Sequence, residues 1–143
     1  MKAPLAVVTM VYNEAVFLPG WLRHYTGQVG SANCFVLDHG SDDGSTGQGL
    51  LQEASRIRIP RSPQDDGSRC GFVSDFCASL LNWYDAVIYT DVDELLVADP
   101  DCHRTLVDLA ATLEPDAVVT AIGFDLVHVP DEEASLDLSL IHI

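Results

Sequence analysis

Val87-Ile88-Tyr89-Thr90-Asp91-Val92-Asp93-Glu94-Leu95-Leu96 is the stretch on which the fold of this 143-residue chain turns. Its apolar, β-branched first half reads as a buried strand, and it ends on three carboxylates within four residues. Successive strand residues face opposite sides, so Asp91 and Asp93 are expected on one side with Val92 on the other. Two carboxylates brought together repel unless a cation lies between them or one stays protonated. Oxygen-only ligands of this kind suit a hard divalent ion, Mg²⁺, Mn²⁺ or Ca²⁺. Taken alone, an Asp-x-Asp is more often a polar turn at a strand end; the rest of the chain changes that balance.

Working outward, strands and helices alternate on both sides of this stretch. Residues 6–10 form a first strand that runs out at Tyr12-Asn13-Glu14. Phe17, Leu18, Trp21, Leu22 and Tyr25 then recur at helical spacing, with Pro19 tolerated in the first turn. Cys34-Phe35-Val36-Leu37 is a second buried strand, ending at Asp38-His39-Gly40-Ser41. A weak helix is expected over residues 49–54, capped by Ser45 or Thr46, and a short third strand over residues 56–59. Val73, Phe76, Cys77, Leu80, Leu81 and Tyr84 make one apolar helix face after the start signal Asp66-Gly67-Ser68. Beyond the organising strand, Asp99-Pro100 is a good N-cap and first-turn pair for a helix carrying Cys102, Leu106, Leu109, Ala110 and Leu113. Residues 117–129 are strand-like, with Gly123 a bulge or kink.

This alternation predicts an α/β domain with a mostly parallel, doubly wound, Rossmann-like sheet. Ligands of such sheets bind beyond the carboxyl ends of the strands, at a topological switch point. The polar clusters Asn13-Glu14, Asp38-His39-Gly40-Ser41, Arg61 with its loop, and Asp91-Val92-Asp93-Glu94 all fall at those ends. Four clusters on one rim predict a site.

Composition limits what that site can take. Seven basic residues stand against 22 acidic ones, a net charge of −15, which argues against nucleic acid and anionic membranes as partners. An anionic substrate needs a metal or a local basic cluster. Four of the six arginines, Arg56, Arg58, Arg61 and Arg69, lie within fourteen positions. Arg61 and Arg69 are candidates for phosphate contact, since Arg forks suit phosphate oxygens; the competing reading is an exposed edge decorated with charge. With 48% hydrophobic residues and this length, one domain spanning residues 1–143 is expected. The four cysteines show no metal-binding spacing and read as reduced, mostly buried thiols of a cytoplasmic protein, at most peripheral to the inner membrane. The apolar start is too short to span a bilayer, so no integral membrane segment is expected.

Three segments, Val8-Thr9-Met10-Val11-Tyr12-Asn13-Glu14, Leu37-Asp38-His39-Gly40-Ser41-Asp42-Asp43-Gly44-Ser45 and Thr90-Asp91-Val92-Asp93-Glu94-Leu95-Leu96, together resemble the motifs of family-two-type glycosyltransferases. Those enzymes have the nucleotide-diphospho-sugar transferase (GT-A) fold. Trp21-Leu22 and His24 fit a subgroup whose metal motif reads Asp-x-Asp-Glu before two apolar residues. The resemblance covers roughly residues 5–97, and three motifs in order are more specific than one. It implies that Tyr12, with Asn13 and Glu14, borders the nucleobase and that Asp38 supports the nucleoside end. Asp91 would face the ribose and sugar, and Asp93, with Asp91 and Glu94, would hold Mn²⁺ or Mg²⁺ on the diphosphate. Where many relatives carry a second acid that reads the base, this chain has His39.

The implied activity is transfer of a sugar from a nucleotide-diphosphate sugar donor to a saccharide, lipid or protein acceptor. The acceptor half, with its catalytic base, would lie largely beyond the fifty residues that follow Asp93, so the chain reads as a truncated, donor-binding half. Asp125, an acid in an apolar strand, is the one substitute base. The rival readings are a truncated or degenerate nucleotide- or metal-binding module that transfers nothing and, more weakly, a Mg²⁺ phosphatase or response regulator. The latter two usually need a lysine near the phosphate, and the single lysine here is Lys2. His24 reads as a surface or half-buried histidine, and Trp21 as a core or rim aromatic.

Overall fold

The computed structural model describes residues 2–47, 54–63, 66–125, 127, 129, 131 and 132. Four strands, β1 (Ala3–Val11), β2 (Cys34–Asp38), β3 (Ser55–Arg58) and β4 (Tyr84–Tyr89), form one all-parallel sheet in the order β3-β2-β1-β4. Helix α1 (Leu18–Val29) joins β1 to β2, and α2 (Asp66–Leu80) joins β3 to β4. A short α3 (Leu106–Ala110) follows.

Central position explains the composition of β1. Leu5, Ala6, Val7, Val8 and Thr9 are all buried, because a strand with neighbours on both edges and helices on both faces has no solvent side. On one face Leu5, Val7, Val11 and Val36 pack with Leu18, Trp21, Leu22 and Tyr25 of α1 and with Leu106 of α3. On the other, Val8 and Leu37 meet Val73, Phe76, Cys77 and Leu80 of α2. The helices therefore cover both faces, as the alternation predicts. No helix among the described residues is long and apolar enough to cross a membrane.

Several boundaries depart from the sequence reading. The organising strand starts at Tyr84 and stops at Tyr89, so Tyr84 belongs to β4 and not to the preceding helix face. The acids follow in a reverse turn closed by the Glu94 N–H donating to the Asp91 carbonyl at 3.0 Å. Asp99-Pro100 does not start a helix. Asp99 accepts from the Asp101, Cys102 and His103 N–H groups in an isolated turn, and the helix waits for Thr105. There Thr105 and Asp108 form a reciprocal capping box, at 3.0 and 3.1 Å. The expected strand over residues 117–129 is not formed by the described residues of that segment, and Val118, Ile122 and Phe124 are exposed. The weak helix over residues 49–54 falls almost wholly outside the described residues. Of the four free cysteines, Cys34 is buried and Cys77 half-buried, while Cys70 and Cys102 are exposed, so "mostly buried" is corrected.

Candidate functional site

The strand order reverses direction at β1, between β2 on one side and β4 on the other, which puts the switch-point crevice beyond the ends of β1 and β4. Pairing continues to those ends. Val11 is level with Asp38 and Asp38 with Arg58, the His39 N–H donates to the Val11 carbonyl, and the Thr90 N–H donates to that of Val8. Tyr12-Asn13-Glu14, the loop after Asp38 and the acidic turn after Thr90 consequently open on one rim.

The loops after β1 and β2 are stitched together by side chains. Asn13 takes a left-handed backbone conformation, φ 57°, which Asn tolerates better than most residues. Its N–H donates to Ser41 Oγ (3.1 Å), its Nδ2 to Asp42 Oδ1 (2.9 Å), and its Oδ1 accepts from the Asp42 and Asp43 N–H groups. Behind this, Asp38 is fully buried. Its Oδ1 accepts from the Ser41 N–H (2.7 Å), and its Oδ2 accepts from Thr46 Oγ1 (3.0 Å) and from both Nε and a terminal nitrogen of Arg56. Burial by itself would raise the Asp38 pKa. The Ser41 backbone N–H, Arg56, and the Ser41 and Thr46 side chains outweigh it and hold the carboxyl below its ordinary value. Arg58 adds a bond to the Ser41 carbonyl at 3.1 Å. Asp38 thus works behind the rim, fixing the loop that follows β2.

The acidic turn is built differently: its backbone is held, and its acid side chains are exposed, Asp91 with one bond from the Tyr89 hydroxyl. Val92 is buried, while Asp91, Asp93 and Glu94 are exposed. Three side chains of α1, little more than one helical turn apart from first to last, make the contacts. Trp21 Nε1 donates to Thr90 Oγ1 (2.9 Å). The buried Tyr25 hydroxyl donates to the Glu94 carbonyl (3.1 Å) and accepts from the Leu96 N–H (2.8 Å). His24 Nε2 lies 2.8 Å from the Leu96 carbonyl and 2.9 Å from the Gln28 side-chain nitrogen. Tyr89 reaches Asp91 Oδ1 through its hydroxyl at 3.1 Å, and burial, then the Asp91 charge, pushes its pKa up to about 12. Arg69, in the first turn of α2, acts in the opposite sense on Tyr89.

Glu14 couples the two halves. Its pKa is raised by burial first, and then by the charges of Asp93 and Asp43. The charges of the turn after β4 and of the loop after β2 thus both reach Glu14 in the loop after β1. Above the β2 side, the Arg61 guanidinium lies over the Tyr12 ring, 3.7 Å from its centroid, and a terminal nitrogen donates to His39 Nδ1 at 3.1 Å. Gly40 permits this close approach. Its φ is +78°, and a Cβ there would stand 2.9 Å from the Arg61 backbone nitrogen.

No protein-family model, curated protein or solved structure matches this chain.

Of the candidate residues, Tyr12, Asn13, Glu14, His39, Arg61, Asp91, Asp93 and Glu94 all belong to the rim loops. Asp125 does not stand in an apolar strand: it is exposed, which removes the reason for singling it out. Asp91, Asp93 and Glu94 do not converge into a three-ligand cage, and among the described residues no group of three His, Cys, Asp or Glu side chains does. Sequence reading missed the pinning role of Trp21, His24 and Tyr25 and the ion pair of Arg56 with Asp38. The spacing of Trp21, His24 and Tyr25 marks one helix face, but nothing local says which loop that face grips.

Proposed function

We propose that this chain is the donor-binding part of a metal-assisted glycosyltransferase of the GT-A arrangement, taking a nucleotide-diphosphate sugar. The observation that carries the reading is that the Tyr12-Asn13-Glu14 loop, the loop after Asp38 and the acidic turn after Thr90 open on one rim at the switch point of the sheet; the upward push of the Asp93 charge on the Glu14 pKa agrees with it. Acids from separate loops share one rim, where a bound cation would offset their mutual repulsion.

The residues fit a particular kind of metal binding. Mg²⁺ and its like are held at nucleotide sites by one or two carboxylates, with waters and substrate phosphates completing the shell, and not by an all-protein cage. Two exposed acids on a turn whose backbone is pinned, Asp91 and Asp93, match that requirement. When bound, the ion offsets diphosphate charge and stabilises the leaving nucleoside diphosphate. Around it, Tyr12 offers an aromatic face for the base, and Arg61 and Arg69 supply the local positive charge that a −15 chain otherwise lacks. Asn13 and Asp38 hold the loop geometry on which that pocket depends.

A second reading, a module that binds nucleotide or metal and transfers nothing, draws support from the exposure of Asp125. General-base help is worth about a hundred- to ten-thousandfold in rate, and no described rim residue is an evident base for an acceptor. Calorimetry with UDP and GDP in Mn²⁺ tests the shared part. Binding is expected to weaken at least tenfold in EDTA and in Asp93→Ala, and undiminished binding in both sinks the metal role. A product assay with the matching nucleotide-sugars then separates transferase from binding module.

A further inference from the structure

Arg61 occupies a place that a ligand would want. It lies between the Tyr12 ring on one side and His39 on the other, 3.7 Å from the ring centroid and 3.1 Å from Nδ1. An aromatic face opposite hydrogen-bonding groups is what recognition of a base requires. Both Tyr12 and Arg61 are exposed, so no core packing demands the stack. Arg61 can also move without disturbing the fold: it is held to the β2 loop through backbone and Cβ, against Gly40, and its side chain borders an open cleft of ≈ 380 Å³ lined by Gly40, Arg58, Ile59 and Pro60.

The hydrogen bonding of the cluster is unbalanced in the same direction. Arg61 can only donate to His39 Nδ1, and the Ser62 N–H, 3.2 Å from Nε2, can only donate as well. A neutral imidazole has a single lone pair to offer. With the cation taking Nδ1, Nε2 carries the proton and donates to Ser62 Oγ at 3.0 Å, and the Ser62 N–H is left facing another donor. One donor in the cluster therefore lacks an acceptor among the described residues, and a ligand carrying a carbonyl oxygen would supply it.

We propose that Arg61 is a placeholder: in the unliganded protein its planar guanidinium covers the face of Tyr12 on which a nucleobase stacks, and the base displaces it. The inference rests on the nucleotide reading above and adds how the site is filled before the donor arrives. Magnitudes favour exchange. An exposed cation–π contact is worth about two- to fivefold in an equilibrium, whereas a base stacked on an aromatic ring is worth roughly fivefold to a hundredfold. Arg61 is thus held firmly enough to keep the platform covered and weakly enough to yield.

The test compares wild type with Arg61→Ala, which keeps the Cβ against Gly40, and with Arg61→Lys, which keeps the charge but not the plane. Uridine and guanosine binding is read by ligand-detected NMR, and UDP and GDP binding in Mn²⁺ by calorimetry. The expected result is a nucleoside bound about two- to fivefold more tightly by Arg61→Ala, with Arg61→Lys between it and wild type. If wild type binds UDP or GDP while nucleoside binding in Arg61→Ala is unchanged, weaker or undetected, Arg61 is a wall of the pocket or a bystander, and the placeholder is overturned alone. If neither protein binds any of the four, the nucleotide reading fails and takes the placeholder with it.

Discussion

The two halves of the rim are held by opposite means. On the β2 side the side chains themselves are locked: Asn13 is bonded through both ends of its amide, and the buried Asp38 takes hydrogen bonds on both oxygens. On the β4 side α1 grips the backbone from behind, while Asp91, Asp93 and Glu94 remain in solvent. The contrast shows that pre-organisation has two forms. A surface that must present a fixed shape satisfies its polar groups internally. The other fixes the backbone that carries its carboxylates and leaves the side chains themselves exposed.

If the β2 half is locked through Asp38, then Asp38→Ala is expected to have the largest effect on stability. It strips a buried acceptor from Ser41, Thr46 and Arg56 at once, and breaking a buried pair costs on the order of 3 kcal/mol. Because Arg56 is partly exposed and can hydrate, the loss is expected at or below that figure. Urea denaturation of Asp38→Ala, Arg56→Ala and the double variant measures the pair; an Asp38→Ala loss under about 1 kcal/mol removes the claim that this acid is the bolt of the loop.

The β4 half is sharpened by Tyr25→Phe. Removing the hydroxyl orphans the Leu96 N–H and the Glu94 carbonyl, for an expected loss of about 1–2 kcal/mol. It is also expected to weaken Mn²⁺-dependent nucleotide binding, because the acids lose their fixed base. A stability loss with unaltered nucleotide affinity restricts Tyr25 to the core.

Thr9 supplies an internal control. Its hydroxyl is buried without a hydrogen-bond partner among the described residues, on the sheet face it shares with Val7 and Val11. Thr9→Val is expected to raise stability by roughly 1 kcal/mol or less, since it removes an unsatisfied polar atom and keeps the shape. A loss of stability instead points to a partner for that oxygen.

The smallest effect separates the halves by sign. The Asp38 carboxyl is held below its ordinary value of 3.8, so its contribution is complete above that value and is lost as the pH falls through its folded midpoint. Glu14 is raised above 4.5, so its ionisation opposes folding at neutral pH, and that penalty disappears as the pH drops below 4.5. Mild acid therefore relieves the crevice before stronger acid loosens the β2 loop. Carboxyl NMR titration is expected to show the Glu14 midpoint moving back toward 4.5 in Asp93→Asn, and an unmoved midpoint contradicts the placement of Asp93 opposite it.

Much of the architecture is written in neighbouring residues. The apolar run Leu5-Ala6-Val7-Val8 marks a strand buried on both faces, and Val73, Phe76, Cys77 and Leu80 mark the sheet-facing side of α2. The placement of acids after strand ends likewise suffices to locate the rim. These features are local, since periodicity relates residues only a few positions apart. What the fold alone decides are the long-range partnerships. Arg56 reaches Asp38 because β3 lies beside β2 in a register that sets Arg56 one strand residue behind Ile57, opposite Val36. Tyr25 grips residues 94–96 because α1 lies on the same sheet face as the turn after β4, about seventy positions away in sequence. The same cause ends β4 at Tyr89. Nothing in Thr90-Asp91-Val92-Asp93 forbids a strand, and β1 runs on from Val8, the partner of Tyr89, to Val11, but the chain turns where Trp21 and Tyr25 hold it. Strand ends and side-chain partners are properties of packed neighbours, and those exist only once the sheet has formed.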